Sequence, residues 1–229
     1  MKALLYKEFK LAMHPICYLF IFLFPLMVLI PSYPIAIGFI YVLSCYPILF
    51  LGANKGQQSN DLLYSTLLPI RKKDIVLARI ITVAIMQLTF ILLMSALIPV
   101  SHLIHQSIIN NGGENVEIPG LGLDGYVSIL AIAIIGFGIA DLIFFPIYYK
   151  NGKSIVMSTL FTILGFVFYL GIFTIGLPYV PGFEGYTQFL CKVNIGYQFI
   201  YLAVALLIYF VLHLLVYKIS AKRLEKVDF

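Results

Sequence analysis

Charge is scarce in this chain. Of its 229 residues only 11% are charged and 62% are hydrophobic, and the mean hydropathy is +1.01. Soluble domains carry about 25% charged residues, and a soluble fold of this length cannot hide so much apolar surface. Polar interruptions are missing from runs of roughly 20 residues, the length an α-helix needs to cross a bilayer core about 30 Å thick. Strict polar–apolar alternation is missing too, which excludes a transmembrane β-barrel. Cysteine is sparse: Cys17, Cys45 and Cys191 lack metal-type spacing, and the first two fall in apolar runs as reduced packing residues. Acids are rare inside those runs, where Asp141 stands alone. No Ser/His/Asp set and no paired carboxylates share a membrane depth, so no catalytic residue is assigned. His102 and His105, with Glu114 and Glu117 downstream, lack a third close ligand, and no metal site is assigned. A short charged segment followed by a cleavage site is also missing at the start.

What remains is an all-α integral membrane protein, read as one transmembrane domain over 1–229. Six spans are expected, at 16–32, 35–53, 74–97, 126–148, 154–177 and 196–217. Pro31 and Pro34 make the first link short, so spans one and two form a hairpin. Residues 1–14 place Lys2, Lys7 and Lys10 among apolar residues at helical spacing, the pattern of an amphipathic surface helix. Segment 178–194 is more apolar than a solvated loop needs. A re-entrant outer hairpin and a short ordered loop both suit it.

Basic residues set the orientation, because cytoplasmic loops are enriched in Lys and Arg. With both termini inside, all but Lys192 of the 15 Lys and Arg fall on the inner side. An even number of spans follows. The net charge of +5 then belongs to inner loops and not to a nucleic-acid surface.

Between spans two and three lies NKGQQSNDLLYSTLLPIRKKD, 54–74. Asn54 with Gln57, or Asn60 with Asp61, can cap a short helix. Leu62, Leu63, Leu67 and Leu68 gather toward one side of it, and Pro69 stops it. Asp74 caps the next span, where a carboxylate suits the helix N-terminus. The plainer alternative is that Arg71, Lys72 and Lys73 only anchor the loop at the inner surface. That alternative does not explain two dozen residues where a tight turn suffices.

The stretch LLYSTLLPIRKKDIVLARII resembles the loop and third span of type-2 ABC exporter permeases. There a cytoplasmic coupling helix ends in Leu-Pro, then basic residues, then Asp-Ile-Val-Leu-Ala-Lys/Arg. MKALLYKEFKL resembles the amphipathic connecting helix of that family, and FFPIYYKNGKS (144–154) its loop between spans four and five. The whole is similar to the small six-span branch that includes the phenol-soluble modulin exporters. The chain departs from larger relatives in carrying Lys55, Gly56, Gln57 and Gln58 where they have Glu-x-Gly-Thr. The resemblance implies a coupling helix within 54–73. It implies that Gln58, Asp61, Leu62, Leu63, Ser65, Leu67, Leu68, Arg71, Lys72 and Lys73 dock on a separate ABC ATPase subunit. It further implies two permeases, a homodimer, in a four-subunit complex, multi-pass in a bacterial cell membrane, exporting an amphipathic or hydrophobic compound such as a peptide. ATP and Mg²⁺ would sit on the partner, and no cofactor on this chain. GKS at 152–154 is not a P-loop, since Ile147 stands where the first Gly is required. A membrane-embedded enzyme and a non-transporting immunity or sensor subunit are the competing readings.

An ionisable group inside a span costs on the order of 2.5–3.5 kcal/mol by insertion scales and calls for a partner. Asp141 and Arg79 are expected to pair and tie spans three and four. The alternative has Asp141 facing water at the inner mouth while Arg79 snorkels. Pro146, one turn on, can kink span four. His14 and His213 read as interfacial residues near the inner side. FLF at 22–24 and FVFY at 166–169 either line an apolar path or face lipid.

Overall fold

The computed structural model describes residues 2–12, 15–29, 70–110, 127–151, 155–172 and 195–226. Helix α1 (Lys2–Lys7) runs into a wide π-helical turn, Glu8–Ala12. Helix α2 (Pro15–Leu23) starts on proline, whose missing N–H is no loss at the first position. It tightens into a 3₁₀ turn, Phe24–Leu29, at Pro25, which removes an i→i−4 bond. Four longer helices follow: α3 (Lys72–Asn110), α4 (Val127–Asn151), α5 (Ile155–Gly171) and α6 (Ile195–Glu225).

Among the described residues every element is helical. Among those residues three helices are long and apolar enough to cross a membrane, over Lys72–Ser101, Leu130–Lys150 and Gln198–Glu225, and a shorter apolar helix covers Val156–Gly171. The expected second span (35–53), the coupling loop before residue 70 and the hairpin at 178–194 lie outside the described residues.

Helix boundaries differ from the expected spans in two places. Helix α3 has 39 residues and runs through Pro99. At about 1.5 Å per residue it is about 58 Å long, twice a bilayer core. It also begins at Lys72, so Asp74 lies inside the first turn, not ahead of it. The Asp74 N–H donates to the Arg71 carbonyl at 2.9 Å. Helix α6 continues past Tyr217 to Glu225. Ser220, Ala221 and Leu224 are buried along this extension, in line with the buried Val216 just before it. That spacing is one helical face, so packing carries the helix beyond its apolar run.

Helix α4 is central, packed along α6 on one side and α5 on the other. Small residues allow the approach. A Cβ on Gly136 would stand 2.7 Å from Phe166 Cε2, and one on Gly138 would stand 2.8 Å from Leu212 Cδ1. The Tyr169 hydroxyl donates to the Ile132 carbonyl at 3.0 Å, joining α5 to α4. Phe137 stacks on Phe166 of α5 at 6.0 Å and meets Phe90 of α3 edge-on at 6.3 Å. FLF and FVFY both divide between faces: Phe24, Phe166 and Tyr169 are buried, whereas Phe22, Val167 and Phe168 are exposed.

Polarity is inverted relative to a soluble protein. Glu8, Arg79, Gln87 and Asp141 are all at most 3% exposed, while Leu207 is 68%, Phe210 63% and Phe168 71% exposed. Water would penalise such an apolar exterior. Lipid does not, and it requires the charges to turn inward.

Candidate functional site

Helix α3 leaves the basic loop at Arg71, which is exposed, and Lys72 and Lys73 form its first turn. Arg79 lies seven residues further, about 10 Å along the axis, and is 3% exposed. Its Nε donates to Glu8 Oε2 at 3.0 Å, and its Nη2 to Glu8 Oε1 at 3.4 Å. This two-pronged geometry is the strong form of an Arg–carboxylate contact. Nη1 donates to the Tyr148 hydroxyl at 3.0 Å, and the guanidinium carbon lies 5.9 Å from the Tyr148 ring centre. One buried side chain therefore joins the N-terminal segment, α3 and α4.

Two further contacts gather helix ends at the same side of the bundle. Lys73 Nζ meets Glu225 Oε1 at 3.2 Å, about half exposed on both sides. Arg223 Nη1 donates to the Pro146 carbonyl at 2.6 Å. The start of α3 and the ends of α4 and α6 thus meet at one end of the bundle, next to Glu8.

Deeper along the bundle, Asp141 Oδ2 lies 3.1 Å from His213 Nε2 of α6. The approach is close but off the axis of a straight hydrogen bond, so distance between charges and not direction defines the contact. His213 Nδ1 lies 2.9 Å from the Tyr209 carbonyl. The Tyr209 hydroxyl donates to Gln87 Oε1 of α3 at 2.7 Å. With one ring nitrogen toward a carboxylate and the other toward a carbonyl, His213 is not placed to activate a serine or cysteine nucleophile.

The structure therefore brings Arg79 and Asp141 each to a different counter-ion. Glu8 and His213 were both missed as partners. Glu8 is the single acid among the lysines of residues 1–14, a signal that was available. His213 was expected near the interface because span six was ended at Tyr217. The helix runs on to Glu225, which puts His213 about 15 Å from Arg223. Pro146, expected to be able to kink span four, lies inside α4, which continues to Asn151. Of the predicted docking residues, Gln58, Asp61, Leu62, Leu63, Ser65, Leu67 and Leu68 lie outside the described residues. So do the side chains of His102 and His105, although both positions fall within α3. Among the described residues no group of three His, Cys, Asp or Glu is placed to hold a metal ion.

Comparison with known proteins gives one family. The family described as ABC-2 family transporter protein matches residues 3–224. No curated protein and no solved structure matches the chain. The match covers nearly the whole chain, with Glu8, Arg79, Asp141 and His213 inside it, and the chain accordingly belongs to the ABC-2 transporter family, as a membrane-embedded permease of an ABC transporter.

Proposed function

We propose that this permease is the membrane half of an ATP-driven exporter. A separate ABC ATPase docks on the loop at 54–73, through Gln58, Asp61, Leu62, Leu63, Ser65, Leu67, Leu68 and the basic residues Arg71, Lys72 and Lys73. Two copies of the chain work with two ATPases, with both termini in the cytoplasm of a bacterial cell. The cargo is an amphipathic or hydrophobic compound, with peptides the favoured class.

The observation that carries this reading is the buried joint at Arg79. A push on the loop reaches α3 at Lys72, and seven residues later α3 is tied by charge to Glu8 and by a hydroxyl to Tyr148. Buried ion pairs are stiff in this sense: separating the partners leaves a charge without compensation. Movement of α3 is thereby passed to the N-terminal segment and α4 together. An apolar docking face on a short helix suits a groove of a soluble partner.

The test is capture. Wild-type chain solubilised in detergent is expected to retain its cognate ATPase, and Leu67→Asp with Leu68→Asp to lose it. No capture by the wild type, or undiminished capture by the double variant, overturns the docking assignment.

A further inference from the structure

Asp141 and His213 are not needed for the joint at Arg79, and their depth sets them apart. Asp141 lies nine residues from Lys150 on α4, and His213 ten residues from Arg223 on α6. At about 1.5 Å per residue these counts give about 13 and 15 Å. Asp141 falls near the middle of the apolar stretch Leu130–Lys150, and His213 near the middle of Gln198–Glu225. Asp141 is fully buried and the His213 side chain is 11% exposed.

The surroundings of His213 constrain its proton count. Nε2 faces the Asp141 carboxylate at 3.1 Å and Nδ1 faces the Tyr209 carbonyl at 2.9 Å. Both ring nitrogens thus stand near oxygen atoms, and a positive charge on the ring is attracted by the carboxylate and by the carbonyl dipole. With one proton shared between the carboxyl and the second ring nitrogen the pair has zero net charge, which a low-dielectric interior favours over a net charge. From α3 the neighbour is the uncharged Gln87, bonded to the Tyr209 hydroxyl. Arg79 lies about 12 Å further toward the charged end and is matched by Glu8. On α4, Tyr148 and Tyr149 lie about 10 Å further in the same direction. On α6, Tyr217 and Lys218 lie one turn beyond His213.

We propose that Asp141 and His213 form a proton-binding site in the middle of the membrane-spanning helices, loaded and emptied through His213. In the loaded state His213 carries a proton on each ring nitrogen and holds α6 against α4 through Asp141. Release of one proton to water converts imidazolium to imidazole and takes the pair from zero to one net negative charge. The attraction between α4 and α6 falls, and Asp141 is left as a buried carboxylate facing a neutral ring. His213 is assigned as the exchanging member because an imidazole ordinarily changes charge between pH 5 and 8, whereas a carboxylate ordinarily does not. A proton is thus a second input that loosens or tightens α6.

The experiment is a pH titration of ¹⁵N-histidine-labelled chain in lipid nanodiscs, followed by NMR. The chain has four histidines, and His213→Gln identifies the signal by its disappearance. The expected wild-type signal shows an imidazolium at the acid end of pH 5–9 and passes to the neutral form in one step. Asp141→Asn is expected to move the midpoint of that step by about one pH unit or more, a tenfold change in proton affinity. The other three signals stay in place. A His213 signal that is neutral at pH 5, that never titrates, or whose midpoint ignores Asp141→Asn overturns the proposal. Should Asp141→Asn fail to fold, Asp141→Glu must keep the step and shift its midpoint, and an unshifted midpoint is equally fatal. The titration is read on the chain alone, so its failure leaves the ATPase-docking assignment intact.

Discussion

Replacing Glu8 by alanine removes two of the polar contacts of Arg79 while leaving its guanidinium inside. The pair is sealed: both side chains are 4% exposed, and the nearer contact is 3.0 Å. Removing one partner of a buried pair costs about 3–5 kcal/mol, because the other charge stays buried without compensation. That corresponds to about two to nearly four powers of ten in the folded-to-unfolded ratio. The half-exposed contact between Lys73 and Glu225 is an internal control, since exposed pairs contribute about 0–1 kcal/mol. Unfolding in mixed micelles titrated with SDS, followed by circular dichroism, gives both numbers on one scale. Glu8→Ala should lie several kcal/mol below wild type and Glu225→Ala within about 1 kcal/mol. Reversing the pair, Glu8→Arg with Arg79→Glu, should recover part of the loss, which a double-mutant cycle measures as coupling. Equal costs for Glu8→Ala and Glu225→Ala, or a reversed pair no better than the sum of its parts, would refute the joint.

Other parts of the bundle give sharp expectations. Gly138→Ala puts a Cβ 2.8 Å from Leu212 Cδ1, so it should destabilise by about 1–3 kcal/mol as overpacking does, and Leu212→Ala should relieve part of that in the same unfolding assay. Tyr209→Phe deletes the donor held by Gln87 at 2.7 Å and should cost about 1 kcal/mol, more if Gln87 is left underbonded. Combining it with Gln87→Leu should bring the cost back toward zero, since removing both polar partners is far cheaper than removing one.

Much of the helix layout was readable because lipid imposes a simple rule: long apolar runs must be helices. Asp141 also announced itself, since a lone acid in such a run needs a partner. Which partner was not readable. The contact with His213 joins residues 72 positions apart in sequence, and choosing among cations requires knowing how α4 and α6 rotate about their axes. Small residues such as Gly138 set that rotation through close packing, which leaves no periodic mark in composition. Glu8 was obscured differently: among Lys2, Lys7 and Lys10 it reads as part of a charged surface, yet it is the residue that turns inward. The length of α3 was not readable from its apolar run, because bilayer thickness bounds a span and not the helix that contains it, and this helix passes through Pro99 to Asn110. The family resemblance rested chiefly on LLPIRKKDIVLAR, and the match over 3–224 extends the relation to nearly the whole chain. The proposed docking residues before Arg71 lie outside the described residues, so the ATPase assay is their direct test.

The most direct measurement is ATP hydrolysis by the cognate ATPase, purified and then added to lipid vesicles that carry this chain. Wild-type vesicles should change the hydrolysis rate several-fold over the ATPase alone, and vesicles with Leu67→Asp and Leu68→Asp should not. A rate that ignores the wild-type chain, or that responds equally to the double variant, contradicts force entering the membrane through the loop at 54–73.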